Sequence, residues 1–295
     1  MKKVLLIINP KSGKSKSKFM LFEIINTLSL NGCIVTTRIT QKIGDATLFA
    51  EDACKEGIYD LIIACGGDGT LSETVAGVVK MQNRPDIGYI PCGSTNDYAR
   101  SFGISTDYKK AAEGAATGKP IPVDIGLING KSFNYIASFG LFTAVSYSAS
   151  RTLKSMLGHM AYVLAGTKEL AKIKSIHAKV ETDSGTFEDD FLFGAIANST
   201  SIGGVVKLDE TLVSFNDGMF EICLVRKPKK TSEILNVIRG ALKSDFSSES
   251  FEFFKASSVK ITTPEGLAWS LDGEKAVPGE NVEIEILKSA VNLVL

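Results

Sequence analysis

Apolar runs and helix-like segments alternate along the first 120 residues of the chain. Continuous apolar runs at residues 4–8 and 61–65 are typical of strands that are buried on both faces of a sheet, and the β-branched segment 33–39 and residues 87–90 predict two further strands. Between these runs, apolar residues recur at helical spacing over residues 19–30, 45–56 and 71–80. Strands that alternate with helices predict βαβ units, and therefore a parallel sheet with helices on both faces.

Beyond about residue 120, short alternating segments replace the helix-like ones. Residues 123–128 and 133–139 flank Asn129-Gly130, which predicts a β-hairpin on a type I′ turn. Further strands are predicted at 178–182, 192–198, 220–225, 259–263, 268–271 and 282–287, and helices at 152–173 and 231–242. This pattern favours a mostly antiparallel β domain.

The predicted fold class is α/β plus β, and two domains are expected for a chain of 295 residues. The first domain, residues 1–120, is a three-layer domain built on the parallel sheet. The second domain, residues 121–287, is rich in β structure, and residues 288–295 return to the first domain. We expect the active site in the cleft between the two domains, because ligand sites occur preferentially at such interfaces.

Composition and charge narrow the possible functions. The 33 basic and 33 acidic residues give no net charge, which argues against a nucleic acid as the main partner. No apolar run reaches the roughly 18–20 residues of a membrane span. Five cysteines without paired metal spacing indicate reduced thiols in the cytoplasm. The two histidines, His159 and His177, provide little material for a zinc site or a histidine-centred triad.

The strongest chemical motif follows the third predicted strand and reads Gly66-Gly67-Asp68-Gly69-Thr70. Glycines at the carboxyl end of a parallel strand let backbone N–H groups approach phosphates closely. The carboxylate of Asp68 would repel a phosphate unless Mg²⁺ lies between them. A plain glycine-rich turn is the alternative. The Walker P-loop and the dinucleotide-binding glycine motif are both absent from the sequence.

Two other polar turns follow strands in the same way. One contains Pro91-Cys92-Gly93-Ser94-Thr95-Asn96-Asp97, and the other is Asn9-Pro10-Lys11-Ser12-Gly13. Asn96 or Asp97 could simply cap the next helix. However, the carboxyl ends of neighbouring parallel strands meet at one edge of a sheet, so we expect Asp68 and Asp97 to lie close together.

Together these motifs resemble the diacylglycerol kinase catalytic domain, in its soluble bacterial lipid kinase branch. The glycine motif alone is shared with NAD kinases and phosphofructokinases, whose fold the first domain is expected to have. The resemblance extends over nearly the whole chain through segments in the family's order: Gly93-Ser94-x-Asn96-Asp97-x-Ala99-Arg100, Val123-Asp124-Ile125-Gly126, Asn216-Asp217-Gly218-Met219-Phe220 and Leu271-Asp272-Gly273-Glu274. Ser94 departs from the family's usual threonine but keeps the hydroxyl.

The resemblance implies an ATP-dependent lipid kinase, most simply one that converts diacylglycerol into phosphatidic acid. It implies that Asp68, Asp97 and Asp124 surround a catalytic Mg²⁺, partly through water, and that Glu274 is the general base. It implies a second, structural Mg²⁺ on Asp217 and the backbone carbonyls of Ser214 and Met219. The implied nucleotide site comprises Asn9, Pro10, Lys11, Ser12, Gly13, Thr40, Gly66, Gly67, Asp68, Gly69, Thr70, Leu71, Ser72, Glu73 and Thr95.

Several alternatives stay open. By pattern alone, Asp272-Gly273 is a hairpin turn that leaves Glu274 in solvent, and only the resemblance favours the base. Residues 151–174 either cover the β domain or form an interfacial helix whose lysines reach anionic headgroups. A lipid acceptor implies a cytoplasmic enzyme that associates peripherally with the inner face of the membrane. A homodimer is considered as a partner state, although the sequence does not fix the oligomeric state. The other functions considered are a sphingoid-base or other lipid kinase, an NAD kinase, and a non-catalytic nucleotide or lipid sensor.

Overall fold

The structure is a computed structural model, and it describes residues 1–12, 17–94, 96–141, 174–199, 201–202, 206–207, 213–230, 233–243, 245 and 248–295. The chain divides into two compact units. The first contains Met1–Ile125 and Lys288–Leu295, and the second contains Gly126–Leu287. No helix within the described ranges is long and apolar enough to cross a membrane.

The first unit is built on four parallel strands in the spatial order β2-β1-β3-β4. The strands are β1 (Lys2–Ile8), β2 (Cys33–Ile39), β3 (Leu61–Gly66) and β4 (Asp86–Pro91). Every residue of β3 is buried, as the continuous apolar run predicts for a strand covered on both faces. The carboxyl ends of β1, β3 and β4 therefore share one edge of the sheet.

Five described helices accompany this sheet: α1 (Ser17–Leu30), α2 (Asp45–Glu56), α3 (Asp68–Val79), α4 (Asp97–Ser101) and α5 (Tyr108–Thr117). The sequence predicts α1 and α2 closely, and α2 ends at Gly57, whose positive φ of 65° suits a helix end. The expectation that α3 begins at residue 71 was wrong. The helix begins at Asp68, because Gly67 is its N-cap and the carboxylate lies in the first turn, where the helix dipole favours negative charge.

The second unit is antiparallel in every pairing for which a register is described. The long strand β9 (Gly185–Ala197) pairs with three neighbours, which are β7 (Ile136–Gly140), β8 (Ile176–Thr182) and β12 (Phe220–Arg226). The remaining strands are β5 (Pro120–Ile128), β6 (Lys131–Phe133), β10 (Ser201–Ile202), β11 (Val206–Lys207), β13 (Phe251–Ala256), β14 (Ser258–Thr262), β15 (Trp269–Leu271), β16 (Glu274–Ala276) and β17 (Asn281–Val294). The helix predicted at 231–242 is observed as α6 (Ile234–Lys243).

The hairpin predicted around Asn129-Gly130 is confirmed in its first half. β5 and β6 pair antiparallel, and the φ angles of 46° and 80° at Asn129 and Gly130 fit a type I′ turn. The single strand predicted at 133–139 was wrong, because β6 ends at Phe133 and β7 begins at Ile136. The backbone between them donates to a distant carboxylate instead of continuing a ladder. The predicted helix at 152–173 lies outside the described residues.

The strand predicted at 282–287 continues much further than expected. β17 runs to Val294, and its last part pairs in parallel with β4, with Leu293 opposite Ile87. Two backbone hydrogen bonds between Leu295 and Lys119 follow, with N···O distances of 2.9 and 3.1 Å. The C-terminal residues therefore extend the sheet of the first unit.

Candidate active site

The turns after β3 and β4 are joined by the carboxylate of Asp68. Its Oδ2 accepts a hydrogen bond from the backbone N–H of Asp97 at 3.0 Å, and its Oδ1 accepts one from the N–H of Tyr98 at 3.3 Å. Both donors belong to the first turn of α4, whose N–H groups have no partner within the helix. The structure therefore brings Asp68 and Asp97 together at one edge of the sheet, as the sequence predicts.

Asp68 and Asp97 form an acidic pair. Burial, and then the negative charge of Asp68, raises the pKa of the Asp97 carboxyl group, while Arg100 opposes this effect from 3.0 Å. A divalent cation would favour the charged form of both carboxylates. Among the described residues, no three His, Cys, Asp or Glu side chains converge as metal ligands. The two carboxylates could hold Mg²⁺, which typically binds one or two carboxylates and completes its coordination with water and phosphate oxygens.

Tyr89 is a member of this site that the sequence analysis missed. Its side chain is buried on β4, and its hydroxyl lies 3.3 Å from Asp68 Oδ1 and 3.4 Å from Asn96 Oδ1. Burial, and then the charge of Asp68, raises the pKa of the phenol, so the hydroxyl stays protonated and can donate. The available signal was a single aromatic hydroxyl within the aliphatic run of the fourth strand.

Glycines allow the two turns to approach each other. A Cβ added to Gly93 would lie 2.7 Å from the Cα of Gly67, closer than real Cβ atoms come. A Cβ added to Gly66 would collide with the side chain of Thr70. Asn96 closes the second turn, because its amide both accepts from the Gly93 N–H at 2.9 Å and donates to the Gly93 carbonyl at 3.0 Å. The glycines are therefore needed for the close packing of the two turns.

The turn after β1 contacts the same glycine run. Asn9 donates through Nδ2 to the hydroxyl of Thr70 at 3.0 Å, and the hydroxyl of Ser12 accepts from the Gly67 N–H at 3.2 Å. Thr40 is buried beside the end of β1, where its N–H donates to the Ile8 carbonyl at 2.9 Å. These contacts bring four of the predicted nucleotide-binding residues, Asn9, Ser12, Gly67 and Thr70, into one hydrogen-bonded group.

Other predicted nucleotide-binding residues have different surroundings. Leu71 is fully buried, and its N–H donates to the Gly67 carbonyl at 3.2 Å, so it supports the glycine run from inside α3. Glu73 accepts through Oε2 from the N–H of Ala46, in the first turn of α2, at 3.2 Å. Gly69 and Ser72 lie in α3, while Pro10 and the exposed Lys11 lie in the turn that follows β1. Gly13 and Thr95 lie outside the described residues.

Asp124 is fully buried on β5. Its Oδ1 accepts a hydrogen bond from the backbone N–H of Ser289 at 2.6 Å. Ser289 lies in the C-terminal part of β17, and its φ is 50°. The returning strand therefore fixes the orientation of this carboxylate, which the sequence analysis assigned to the catalytic metal.

Glu274 begins β16 in the second unit, and its side chain is exposed. The preceding residues, Asp272 and Gly273, have φ angles of 50° and 87° and form the turn between β15 and β16. The hairpin expected from the pattern of Asp272-Gly273 is thus present, and Glu274 is the first residue after its turn.

Asp272 anchors this hairpin in the interior of the second unit. Its carboxylate is buried and accepts from the N–H groups of Asn134, Tyr135 and Ile136 at 2.6, 3.0 and 3.2 Å. These are the residues at which the strand predicted over 133–139 is interrupted. Three charge-assisted hydrogen bonds to Asp272 stabilise this interruption and replace the hydrogen bonds of a continuous ladder.

Asp272→Asn is expected to lower the free energy of unfolding by about 2–3 kcal/mol, because the carboxamide leaves at least one buried N–H without an acceptor. The single tryptophan, Trp269, is buried on the same hairpin and reports unfolding in urea through its fluorescence. Asp183→Asn is the matched control, since Asp183 also accepts from a backbone N–H but is exposed. A loss of stability no larger than that of the control would contradict the anchoring role.

Lys255 connects two acidic side chains elsewhere in the second unit. Its ammonium lies 2.9 Å from Asp217 Oδ2 and 3.3 Å from Glu221 Oε1. Asp217 Oδ1 also accepts from the backbone N–H of Met219 at 3.0 Å. Burial raises the pKa of Glu221 to about 7, although Lys255 opposes this effect. The residue predicted to bind a structural Mg²⁺ is thus paired with a lysine.

Family models of known proteins match both halves of the chain. A family model described as the diacylglycerol kinase catalytic domain matches residues 3–128. A second model, described as the YegS C-terminal NAD kinase beta sandwich-like domain, matches residues 136–295.

Relatives and a solved structure match at nearly full length. A diacylglycerol kinase of Bacillus subtilis (strain 168) is 36% identical over 288 residues, which is 96% of this chain and 94% of the relative. A diacylglycerol kinase of Staphylococcus aureus (strain MRSA252) is 34% identical over 274 residues, covering 92% and 86%. The crystal structure of a diacylglycerol kinase from Bacillus anthracis (strain Sterne) has a TM-score of 0.76 and 25% identity, covering 99% of this chain and 96% of that one.

Proposed function

This chain belongs to the diacylglycerol kinase catalytic domain family, and we propose on that premise that it transfers the γ-phosphoryl group of ATP to the free hydroxyl of diacylglycerol. The product is phosphatidic acid. One observation carries the proposal: relatives that align over nearly their whole length are named diacylglycerol kinases. Because the acceptor is a lipid, the enzyme is proposed to work at a membrane surface.

The edge of the first sheet is proposed to hold ATP and Mg²⁺. In the group formed by Asn9, Ser12, Gly67 and Thr70, the hydroxyls of Ser12 and Thr70 accept hydrogen bonds and keep their own O–H groups as donors for phosphate oxygens. When bound, the ion would neutralise the charge that develops on the phosphates. Asp68 and Asp97 are the proposed ligands, and the N–H groups of α4 fix the direction of the Asp68 carboxylate. Asp124 is proposed to complete the acidic set.

Glu274 is proposed to accept the proton of the acceptor hydroxyl. An alcohol is a poor nucleophile, so a carboxylate that removes its proton during transfer raises the rate. The segment Leu271-Asp272-Gly273-Glu274 matches the family's pattern. The buried carboxylate of Asp272 anchors the hairpin through its hydrogen bonds to the backbone. The exposed side chain of Glu274 is free to meet an acceptor that arrives from solvent or a membrane.

The substrate assignment is tested with radiolabelled ATP and a panel of acceptors in mixed micelles. The panel contains diacylglycerol, undecaprenol, phosphatidylglycerol, sphingosine and NAD. We expect label in phosphatidic acid and none in NADP. Preferential labelling of sphingosine or another lipid would move the proposal to a different lipid kinase, and labelling of NAD alone would overturn it.

A second, structural Mg²⁺ is proposed to bind at Asp217. The carbonyls of Ser214 and Met219 would be its other protein ligands, which suits the preference of Mg²⁺ for oxygen. The ion would have to compete with the ammonium of Lys255, which lies 2.9 Å from the same carboxylate.

Melting temperatures measured over a series of Mg²⁺ concentrations without nucleotide test this second ion. An ion that binds only the folded state raises the melting temperature by mass action. We expect a smaller rise for Asp217→Asn than for the wild type, and a larger rise for Lys255→Met, because the competing cation is removed. Equal rises in the wild type and Asp217→Asn would exclude an ion at this position.

A further inference from the structure

Two cysteines lie at the strand ends that carry the candidate active site. Cys65 is in β3, next to the glycine run, and Cys92 follows β4 in the second turn. Their Sγ atoms are 3.7 Å apart. All five cysteines lie among the described residues, and Cys33, Cys54, Cys65 and Cys223 are buried whereas Cys92 is partly exposed. Cys92 is therefore the thiol that a small solute can reach.

The backbones that carry these thiols are already in contact. The N–H of Cys92 donates to the carbonyl of Gly66 at 2.7 Å, and Gly67 packs against Gly93. A disulfide bond is about 2.0 Å long, so the sulfur separation would have to shorten by nearly half. Because the two backbones are already in contact, the turns cannot simply move closer, and this closure would have to rotate the cysteine side chains and distort the turns.

The two thiols differ in reactivity. A hydrogen bond from the Cys65 S–H lowers the pKa of Cys92, which favours its thiolate. The same hydrogen bond, together with burial, raises the pKa of Cys65. The thiolate is the nucleophile in thiol chemistry. Cys92 would therefore react first with an oxidant, and Cys65 would resolve the product.

We propose that Cys65 and Cys92 form a reversible disulfide, with a hydroperoxide as the oxidant, and that this bond switches the kinase off. The Cys92 thiolate attacks the peroxide, the O–O bond breaks, and the released alkoxide or hydroxide takes a proton. Cys65 then attacks the sulfenic acid sulfur of Cys92, an S–S bond forms, and the S–O oxygen leaves as water with the Cys65 proton. Two thiols lose two electrons and two protons in total, and the peroxide accepts them.

Inhibition follows from the position of the bond, and this part rests on the proposed kinase function. Asp68 follows Cys65 in the same turn, and its carboxylate accepts from the N–H of Asp97, which follows Cys92 in the other turn. Distortion of the two turns would displace both proposed metal ligands. A misplacement of about 1 Å can cost roughly 100-fold in rate, so inhibition of at least about tenfold is expected.

The test uses the purified full chain, reduced and then treated with hydrogen peroxide after the reductant has been removed. Non-reducing peptide mapping by mass spectrometry detects the Cys65–Cys92 cross-link, and lipid phosphorylation is measured on the same samples. We expect the cross-linked peptide, at least about tenfold lower turnover, and recovery with dithiothreitol. Cys92→Ser should show neither the cross-link nor the inhibition relative to its own reduced sample. Cys54→Ala, which removes another buried thiol, should behave as the wild type.

Absence of the cross-linked peptide would overturn the disulfide. A cross-link that leaves turnover unchanged, or equal inhibition of Cys92→Ser, would overturn the switch. If the reduced protein phosphorylates no acceptor, the proposed function fails instead, and the peptide map still decides whether the disulfide forms.

Discussion

Asp68→Ala is expected to lower kcat by roughly 1,000-fold, which corresponds to about 4 kcal/mol in the barrier. The substitution removes a proposed ligand of the catalytic ion and also the acceptor of two N–H groups of α4. Because Asp68 lies at the edge of the sheet, the core of the first unit stays intact. Initial rates at saturating ATP and acceptor measure the effect, and circular dichroism checks the fold.

Tyr89→Phe is the matched control for this prediction. It removes the phenol hydroxyl that lies 3.3 Å from Asp68 but leaves the carboxylate and its two backbone donors in place. One hydrogen bond to a carboxylate contributes about 1.5–3 kcal/mol, so the loss in kcat should stay between roughly 10- and 150-fold, below that of Asp68→Ala. An Asp68→Ala enzyme that keeps more than about a tenth of the wild-type kcat would contradict the metal role.

Glu274→Gln is expected to lower kcat by about 100- to 10,000-fold, or roughly 3–5 kcal/mol, with little change in ATP affinity. Glutamine keeps the shape and hydrogen-bonding capacity of the side chain but cannot accept a proton. The measurement is kcat with diacylglycerol, together with ATP binding by calorimetry. Glu280→Gln, at another exposed glutamate in the next loop, is expected to leave both values unchanged.

Asp272→Asn separates the base from the scaffold of the hairpin. Corrected for the fraction of unfolded protein, its kcat should fall far less than that of Glu274→Gln, since Asp272 is committed to three backbone N–H groups. The opposite ranking would move the base to Asp272. Near-normal activity of both variants would leave the segment as a hairpin without a catalytic role.

Local patterns were sufficient for the first sheet and for its polar edge. Apolar runs identify β1, β3 and β4, a β-branched segment identifies β2, and motifs at adjacent strand ends predicted that Asp68 and Asp97 would meet. A helix start at Asn96 or Asp97 was considered, but the bounds of the short helix α4 and the whole of α5 were not predicted. The buried face of α5 consists of alanines, which give a weak hydrophobic period, although Asp107 caps its first turn as a helix start requires.

Long-range contacts explain what the sequence could not predict. The interruption between β6 and β7 depends on Asp272, which lies more than a hundred positions away in the chain. Likewise, the surroundings of Glu73 and Tyr89 depend on tertiary contacts. The carboxylate of Glu73 accepts from an N–H at the start of α2, and the hydroxyl of Tyr89 lies beside Asp68. Polar partners of this kind leave no periodic signal, because they depend on which elements meet in space.

The returning end of β17 has a consequence for the timing of synthesis. The first unit needs Lys288–Leu295, which the ribosome adds only after the whole second unit, Gly126–Leu287. At about 5–20 residues per second, the nascent chain waits roughly ten to thirty seconds between Ile125 and Lys288. During that interval β4 lacks a neighbour on one side, and Asp124 lacks the N–H of Ser289. A chain arrested before residue 288 would therefore leave the ribosome with an open strand edge, which chaperones and proteases can recognise.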